Sequence, residues 1–161
     1  MDIAAVTALP LGMIESVVAM PGGLVIAGAL LALLTATFTA LSVPGTIPSM
    51  AFTGGMLLGL PGVLVIAAGA GIGSIALFLV TRYLLRERIR TRLGDRLENI
   101  AEHLGRRGPF YVVGARLTGV PNLLVTAGSA AAPISARTFV AASLLGMLPA
   151  IVLASLAGSA L

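Results

Sequence analysis

No charged residue occurs from Ser16 to Thr81, and within that interval only proline, glycine, serine and threonine interrupt the apolar positions. At about 20 residues for a helix that crosses a bilayer, the interval holds a first span at about 22–42 and a second at about 62–82. The broken stretch between them, SVPGTIPSMAFTGGMLLGLPG, carries Pro44, Pro48 and Pro61 with Gly45, Gly54, Gly55, Gly59 and Gly62. Proline and glycine at this density interrupt a helix. The stretch predicts a re-entrant hairpin over about 43–61. An interfacial loop is the alternative, and the apolar content argues against it.

A second broken stretch, GPFYVVGARLTGVPNLLVTAGSAAAP, covers residues 108 to 133 and sets Arg116 between apolar runs. It predicts a second re-entrant hairpin at about 110–133, with Gly119, Pro121 and Gly128 as points of bending or close approach. Pro133 then opens a third span at about 134–156, with Arg137 near its start. Gly146 and Pro149 make this span kinkable, either as packing with a bend or as a moving hinge. In the second span, Gly69, Gly71 and Gly73 alternate with alanines, which lets helices approach closely in lipid. The GAGIG string lacks the preceding strand and spaced acid of a dinucleotide fingerprint.

Between the two apolar blocks, residues 83–107 place Leu93, Leu97, Ile100 and Leu104 at intervals of four, three and four, an apolar stripe beneath a charged face. This segment is expected to be an amphipathic helix on the membrane surface. His103, next to Glu102, reads as a solvated histidine.

Composition places the whole chain in the membrane: 161 residues, 58% hydrophobic and 10% charged. The fold class is all-α, a single membrane domain over 1–161 with about three transmembrane helices, two opposed re-entrant hairpins and the amphipathic helix. All ten basic residues are arginine, and eight lie between Arg82 and Arg107, interleaved with Glu87, Asp95, Glu98 and Glu102. A short basic loop between apolar stretches follows the positive-inside rule rather than nucleic-acid binding, so residues 83–107 are expected in the cytoplasm. Residues 1 to 16 carry Asp2 and Glu15 but no basic residue, so the N-terminus is expected to stay rather than be cleaved as a signal peptide. With no cysteine and one histidine, thiolate and histidine metal sites and a catalytic triad are not expected. Acids and histidine are absent from the apolar segments, so an enzyme is not expected either, and no cofactor is.

Traced back from a cytoplasmic arginine loop, the first span runs from inside to outside and the second from outside to inside. The first hairpin then opens from the outer face and the second from the inner. Both broken stretches begin Val-Pro, at Val43-Pro44 and Val120-Pro121, with a hydroxyl five residues after the proline, Ser49 and Thr126. Such paired broken segments point to an inverted-repeat transporter with its site at the midplane.

Four strings in order, VPGTIPSMAFTGGMLLG, GAGIGSIALFLVTRYLLR, FYVVGARLTGVPNLL and FVAASLLGMLPAIVLASLAGSAL, give residues 43 to 161 a resemblance to the DedA-like membrane proteins, whose shared region is the VTT or SNARE-associated domain. The resemblance implies opposed re-entrant helices, a plasma or internal membrane, and work on lipids, namely undecaprenyl phosphate return in bacteria and lipid scrambling in eukaryotes. It implies that Arg116 meets an anionic head group, and a guanidinium suits phosphate through two parallel hydrogen bonds. Thr46, Ser49, Thr118, Asn122 and Thr126 are the candidate neutral partners, with Pro44, Gly45, Gly54 and Gly55 permitting close backbone approach. In this chain Gly119 stands where the family pattern has its first proline, Pro121 falls one residue early, and no carboxylate accompanies Thr46, Ser49 and Thr53. The expected partners are anionic phospholipid or an undecaprenyl phosphate-like lipid, with a second copy of the chain closing the lipid-facing surface. The expected function is movement of such a head group between leaflets, in a bacterial inner membrane. A non-transporting scaffold or assembly factor is the alternative.

Overall fold

The computed structural model describes residues 22–84, 87, 91, 94, 99, 102–104 and 106–160. Among them no strand occurs, and six helices order the chain: α1 (Gly23–Ala40), α2 (Thr46–Leu58), α3 (Pro61–Tyr83), α4 (Pro109–Leu117), α5 (Asn122–Ala131) and α6 (Ala136–Ser159). Positions 87, 91, 94, 99, 102–104 and 106–107 of the arginine-rich segment are also helical. Of its expected stripe, Leu104 is buried, whereas Leu93, Leu97 and Ile100 lie outside the described residues. His103 is exposed, its Nδ1–H donating to the Asn99 carbonyl at 2.6 Å.

At 1.5 Å per residue, α1, α3 and α6 reach about 27, 35 and 36 Å, against a hydrocarbon layer of about 30 Å. Each is long and apolar enough to cross it. By the same rise α2 reaches about 20 Å, and α4 and α5 about 15 Å each, too short to cross alone. Large side chains such as Val25, Leu33, Leu64, Ile72, Leu145 and Leu153 stand exposed along the three long helices, the surface expected of a protein solvated by lipid.

Helix boundaries follow local chemistry. Pro61 and Pro109 sit in the first turns of α3 and α4, where the missing N–H has no helical partner anyway. Ser135 caps α6, its hydroxyl accepting from the Thr138 N–H at 3.1 Å. Pro48 lies in the first turn of α2 and is tolerated for the same reason as Pro61.

The long helices are drawn together at small residues. On α3, Gly69 and Gly73 lie against the Ala32 and Ala36 carbonyls of α1, so close that a Cβ at either glycine would collide. Gly28 of α1 faces Val65 of α3. The contact thus advances in step along both helices, and α1 and α3 run parallel. On α2, Gly55 packs on the backbone of Ser155 of α6, and Gly158 of α6 on that of Phe52, with Ser155 Oγ donating to the Ala51 carbonyl at 3.0 Å. Helices α3 and α6 run antiparallel: Phe78 stacks on Phe139 with centroids 4.7 Å apart, and Gly71 meets Leu144.

This corrects the expected course of the first half. The first and second spans were expected to run in opposite directions around one hairpin at 43–61. Instead the break is double, at 41–45 and at 59–60, and 46–58 is a continuous helix. Helix α2 therefore runs back along α1, whose Gly28 meets Leu58 near the far end of α2. The hairpin is α1 with α2, and its tip is 41–45.

The two tips are built alike. In the first, Ser42 has φ 56, its N–H bonds the Thr39 carbonyl, and Val43 N–H bonds the Phe38 carbonyl, both at 3.0 Å. In the second, Gly119 has φ 76, its N–H bonds the Arg116 carbonyl at 3.4 Å, and Val120 N–H bonds the Ala115 carbonyl at 3.0 Å. This pair of bonds around a left-handed residue is the Schellman helix ending, and each tip continues Val-Pro into the next helix. Packing repeats in the same way: α1 on α3 is matched by α4 on α6, and α2 on α6 by α5 on α3. Two buried clusters serve the two halves, one around Ile66, Ala70, Met147 and Ile151, the other around Phe78, Val112, Val125 and Phe139.

Close approach makes one substitution tell two ways. Gly55→Ala forces a Cβ into the Ser155 carbonyl and should cost at least about 1–3 kcal/mol, lowering the thermal unfolding midpoint in detergent. Gly114→Ala, in a helix with nothing within 4 Å of the new carbon, should raise it, by about 0.5–1 kcal/mol. Equal midpoints for the two variants would contradict the α2–α6 contact.

Candidate functional site

The hairpin tips meet through one side chain. Asn122, the first residue of α5, donates from Nδ2 to the Thr39 carbonyl at 2.9 Å and to Ser42 Oγ at 3.2 Å, both at the end of α1. Its Oδ1 accepts from Nη1 of Arg116. Nη2 of Arg116 donates to Thr126 Oγ1 at 3.2 Å and to Ser143 Oγ at 3.5 Å. The Arg116 guanidinium also stands over the Phe139 ring, 5.9 Å from its centroid.

Each of these groups is placed by its helix. Arg116 ends α4 and is held against α6 because Gly146 lets the α4 backbone approach, its virtual Cβ lying 2.6 Å from the Arg116 Cβ and 2.9 Å from the Val113 carbonyl. Ser143 and Phe139 are one and two turns before Gly146 on the same buried face of α6. Thr126 is one turn beyond Asn122 and fully buried. The level of the cluster is near the middle of both long helices, since Gly146 belongs to α6 and Thr39 abuts Gly73 of α3.

Electrostatically the cluster is unbalanced. A guanidinium is always charged, and every hydrogen-bond partner of Arg116 among the described residues is a neutral oxygen. No Asp or Glu occurs after Glu102 or between Ser16 and Thr81. The carboxyl end of α4 offers at most about half a unit of negative charge, and the amino end of α5 at Asn122 offers a similar positive one, so the helix ends cancel and the arginine charge remains. Arg116 Nε is buried with no partner, as are the hydroxyls of Thr39 and Ser74. Buried polar groups normally find partners; among the described residues these three do not.

The structure gathers Arg116, Asn122 and Thr126 and leaves the other expected residues apart from the arginine. Thr118 is exposed, its hydroxyl donating to the Gly114 carbonyl at 2.9 Å and, less closely, to that of Ala115. Thr46 donates to the Val43 carbonyl at 2.8 Å, closing the first turn of α2. Ser49 is exposed on α2, where its carbonyl accepts the Thr53 hydroxyl at 3.0 Å. Pro44 and Pro121 are exposed at the tips, Gly45 begins α2 with φ 79, Gly54 and Gly128 are buried, and Pro149 is exposed within an unbroken α6. Sequence reading missed Ser42 and Ser143. Aligning the two Val-Pro pairs exposes the first, since Ser42 then stands opposite Gly119. The second shares the helical face of Gly146, three residues away.

The fold and site define an integral membrane protein whose two helical hairpins meet inside the bundle at a single arginine. The VTT domain family model matches residues 43–160, and the chain belongs to that family, the DedA or SNARE-associated group of membrane proteins. No curated protein and no solved structure matches the chain.

Two substitutions separate backbone from side chain at the tips. Ser42→Gly relieves a left-handed serine, worth about 1–2 kcal/mol, and loses one neutral hydrogen bond worth about 1 kcal/mol, so its unfolding midpoint should stay near that of the unaltered chain. Asn122→Ala severs both tip bonds and one arginine bond and should lose about 2–3 kcal/mol. An Asn122→Ala midpoint equal to the unaltered protein would mean that the tips do not hold one another.

Proposed function

We propose that the chain carries the anionic head group of a membrane lipid between leaflets, with the hairpins α1–α2 and α4–α5 re-entering the bilayer from opposite faces. The head group passes where their tips meet, and Arg116 binds its phosphate. The supporting observation is the guanidinium set at the middle of the fold among neutral oxygens only. Intramembrane charges are expensive and usually pair or line a substrate path, and this one has no acidic residue within its reach along either apolar block. Phosphate would supply the missing charge through bidentate hydrogen bonds.

Asn122, Thr126 and Ser143 hold the guanidinium in place and can share the head-group oxygens; Thr46, Ser49 and Thr118 lie off this path and have the weaker claim to contact it. The arginine-rich residues 83–107 lie on the cytoplasmic face of a bacterial inner membrane, by the positive-inside rule, and a second copy of the chain covers part of its apolar surface. A phosphate-bearing head group is the common element of anionic phospholipids and polyprenyl phosphates.

In vesicles, the purified chain should speed the leaflet exchange of a fluorescent phosphatidylglycerol. Arg116→Ala should slow it by about tenfold or more, the loss expected for charge-assisted hydrogen bonds worth about 1.5–3 kcal/mol. Exchange no faster than in empty vesicles would sink the transport reading and favour a scaffold. Undiminished exchange by the variant would remove Arg116 alone from the role.

A further inference from the structure

A second arginine lies at the other end of the same aromatic pair. Arg82, near the end of α3, stands over the Phe78 ring at 5.5 Å, Phe78 stacks on Phe139, and Arg116 stands over Phe139. Beside Arg82 is a cavity of about 210 Å³, lined by Arg82, Ala130, Ala131, Ala132 and Pro133. That volume accommodates a phosphate group with a short substituent. Arg82 is half-buried, and Nη1 donates to the Ile134 carbonyl at 2.8 Å, the one hydrogen bond it makes among the described residues. Among the described residues its other donors have no partner.

The remaining walls add the opposite chemistry. Alanine and proline side chains have no polar atom, so the polar groups around the cavity besides Arg82 are backbone. Helix α5 ends here at Ala131, and its last carbonyls have no helical partner. Position 133 is a proline and has no N–H to give. The next N–H, of Ile134, turns to the Ala132 carbonyl at 2.8 Å instead of continuing the helix. The cavity therefore sets a guanidinium beside the Ala130 and Ala131 carbonyls, which accept no hydrogen bond from the described residues.

We propose that this cavity is a second head-group site, at the arginine-rich end of the protein, for a phosphodiester that carries its own hydrogen-bond donor. The guanidinium takes the phosphate, and the α5 carbonyls take an N–H or O–H a few atoms away. Glycerol and ethanolamine head groups have such a donor, whereas choline has none. The stacked Phe78 and Phe139 separate this site from Arg116, so a head group occupies one arginine or the other and not both at once. The site extends the path proposed above, but its occupancy is a binding property and does not require that transport occur.

Native mass spectrometry of the detergent-purified full chain tests it with three probes: dioleoyl phosphatidylglycerol, dioleoyl phosphatidylcholine and inorganic phosphate. The unaltered chain should bind two phosphatidylglycerols saturably and hold phosphatidylcholine at least tenfold more weakly at one of the two sites. Arg82→Gln should lose one bound phosphatidylglycerol and keep the other, and Arg116→Gln should do the converse. Ala131→Leu fills the cavity from its wall and leaves both arginines intact; it should lose the same lipid as Arg82→Gln. Unchanged phosphatidylglycerol binding by both Arg82→Gln and Ala131→Leu would overturn the site, leaving Arg82 as a cap on the Ile134 carbonyl. Equal binding of phosphatidylcholine would overturn the role of the carbonyls, and occupancy by inorganic phosphate with no lipid bound would overturn the lipid assignment. Failure of lipid exchange in vesicles with binding at Arg82 intact would remove the transport function and keep the site.

Discussion

One unneutralised guanidinium sets the terms for the centre of this fold. A buried charge is tolerated only when it is hydrogen-bonded and compensated, and among the described residues Arg116 has the first without the second. Three neutral oxygens from two helices converge on it: those of Asn122 and Thr126 from α5, and that of Ser143 from α6. Asn122 passes the constraint on, because the amide that accepts from the arginine also donates to the end of α1. The position of the charge and the meeting of the hairpins are thus one arrangement. Displacing the arginine side chain towards a ligand would loosen the bridge between the tips.

Irregular backbone inside a helical bundle needs its polar groups satisfied within the protein, and the two tips do this with the same device. Each closes its helix with a Schellman pair around a left-handed residue and continues through Val-Pro into the next helix. The long helices α3 and α6 are the frame, antiparallel and joined at Phe78 and Phe139, and each half hangs a hairpin on its own frame helix and on the other's. Glycine-to-backbone contacts bring α1 close to α3, and α2 and α4 close to α6, while small hydroxyl residues such as Ser74 and Ser143 are buried on the two frame helices. Ser42 is the one non-glycine residue with positive φ among those described. Its strain is offset where its hydroxyl meets Asn122.

Part of the candidate cluster is legible in the sequence because charge inside an apolar block is rare. An arginine in an apolar block stands out, and Val-Pro at 43–44 and 120–121 marks both tips. Arg116, Asn122 and Thr126 were found because they lie within ten residues of one another and two successive turns of α5 carry the last two. Ser143 was not, since a serine in an apolar helix usually bonds its own backbone, and only the α4–α6 contact at Gly146 brings it to the arginine. The direction of α1 was misjudged for a related reason. Its 18 residues satisfy the length of a span, and proline and glycine counts show that a chain breaks without showing how many times. Whether 43–61 holds one turn or a helix between two turns is decided by packing, through Gly54 and Gly55 against Gly62 and Ser155, and tertiary contacts of that kind leave no periodic mark. The hydroxyls of Thr46 and Thr118 both sit within a turn of a helix end, where local carbonyls claim them first.

Membership of the VTT family places the chain among membrane proteins, and the proposed role of Arg116 is open to direct test. The most direct measurement is the distance between lipid phosphorus and the guanidinium nitrogens of Arg116, by nitrogen–phosphorus dipolar recoupling in solid-state NMR of the arginine-labelled chain in phosphatidylglycerol bilayers. The account predicts a phosphorus contact within about 4 Å for the resonance that Arg116→Lys removes, the spacing of a guanidinium–phosphate hydrogen bond. An Arg116 resonance with no phosphorus contact, its bonds to Asn122 and Thr126 persisting at saturating lipid, would contradict it and make the arginine a structural tie between the hairpins.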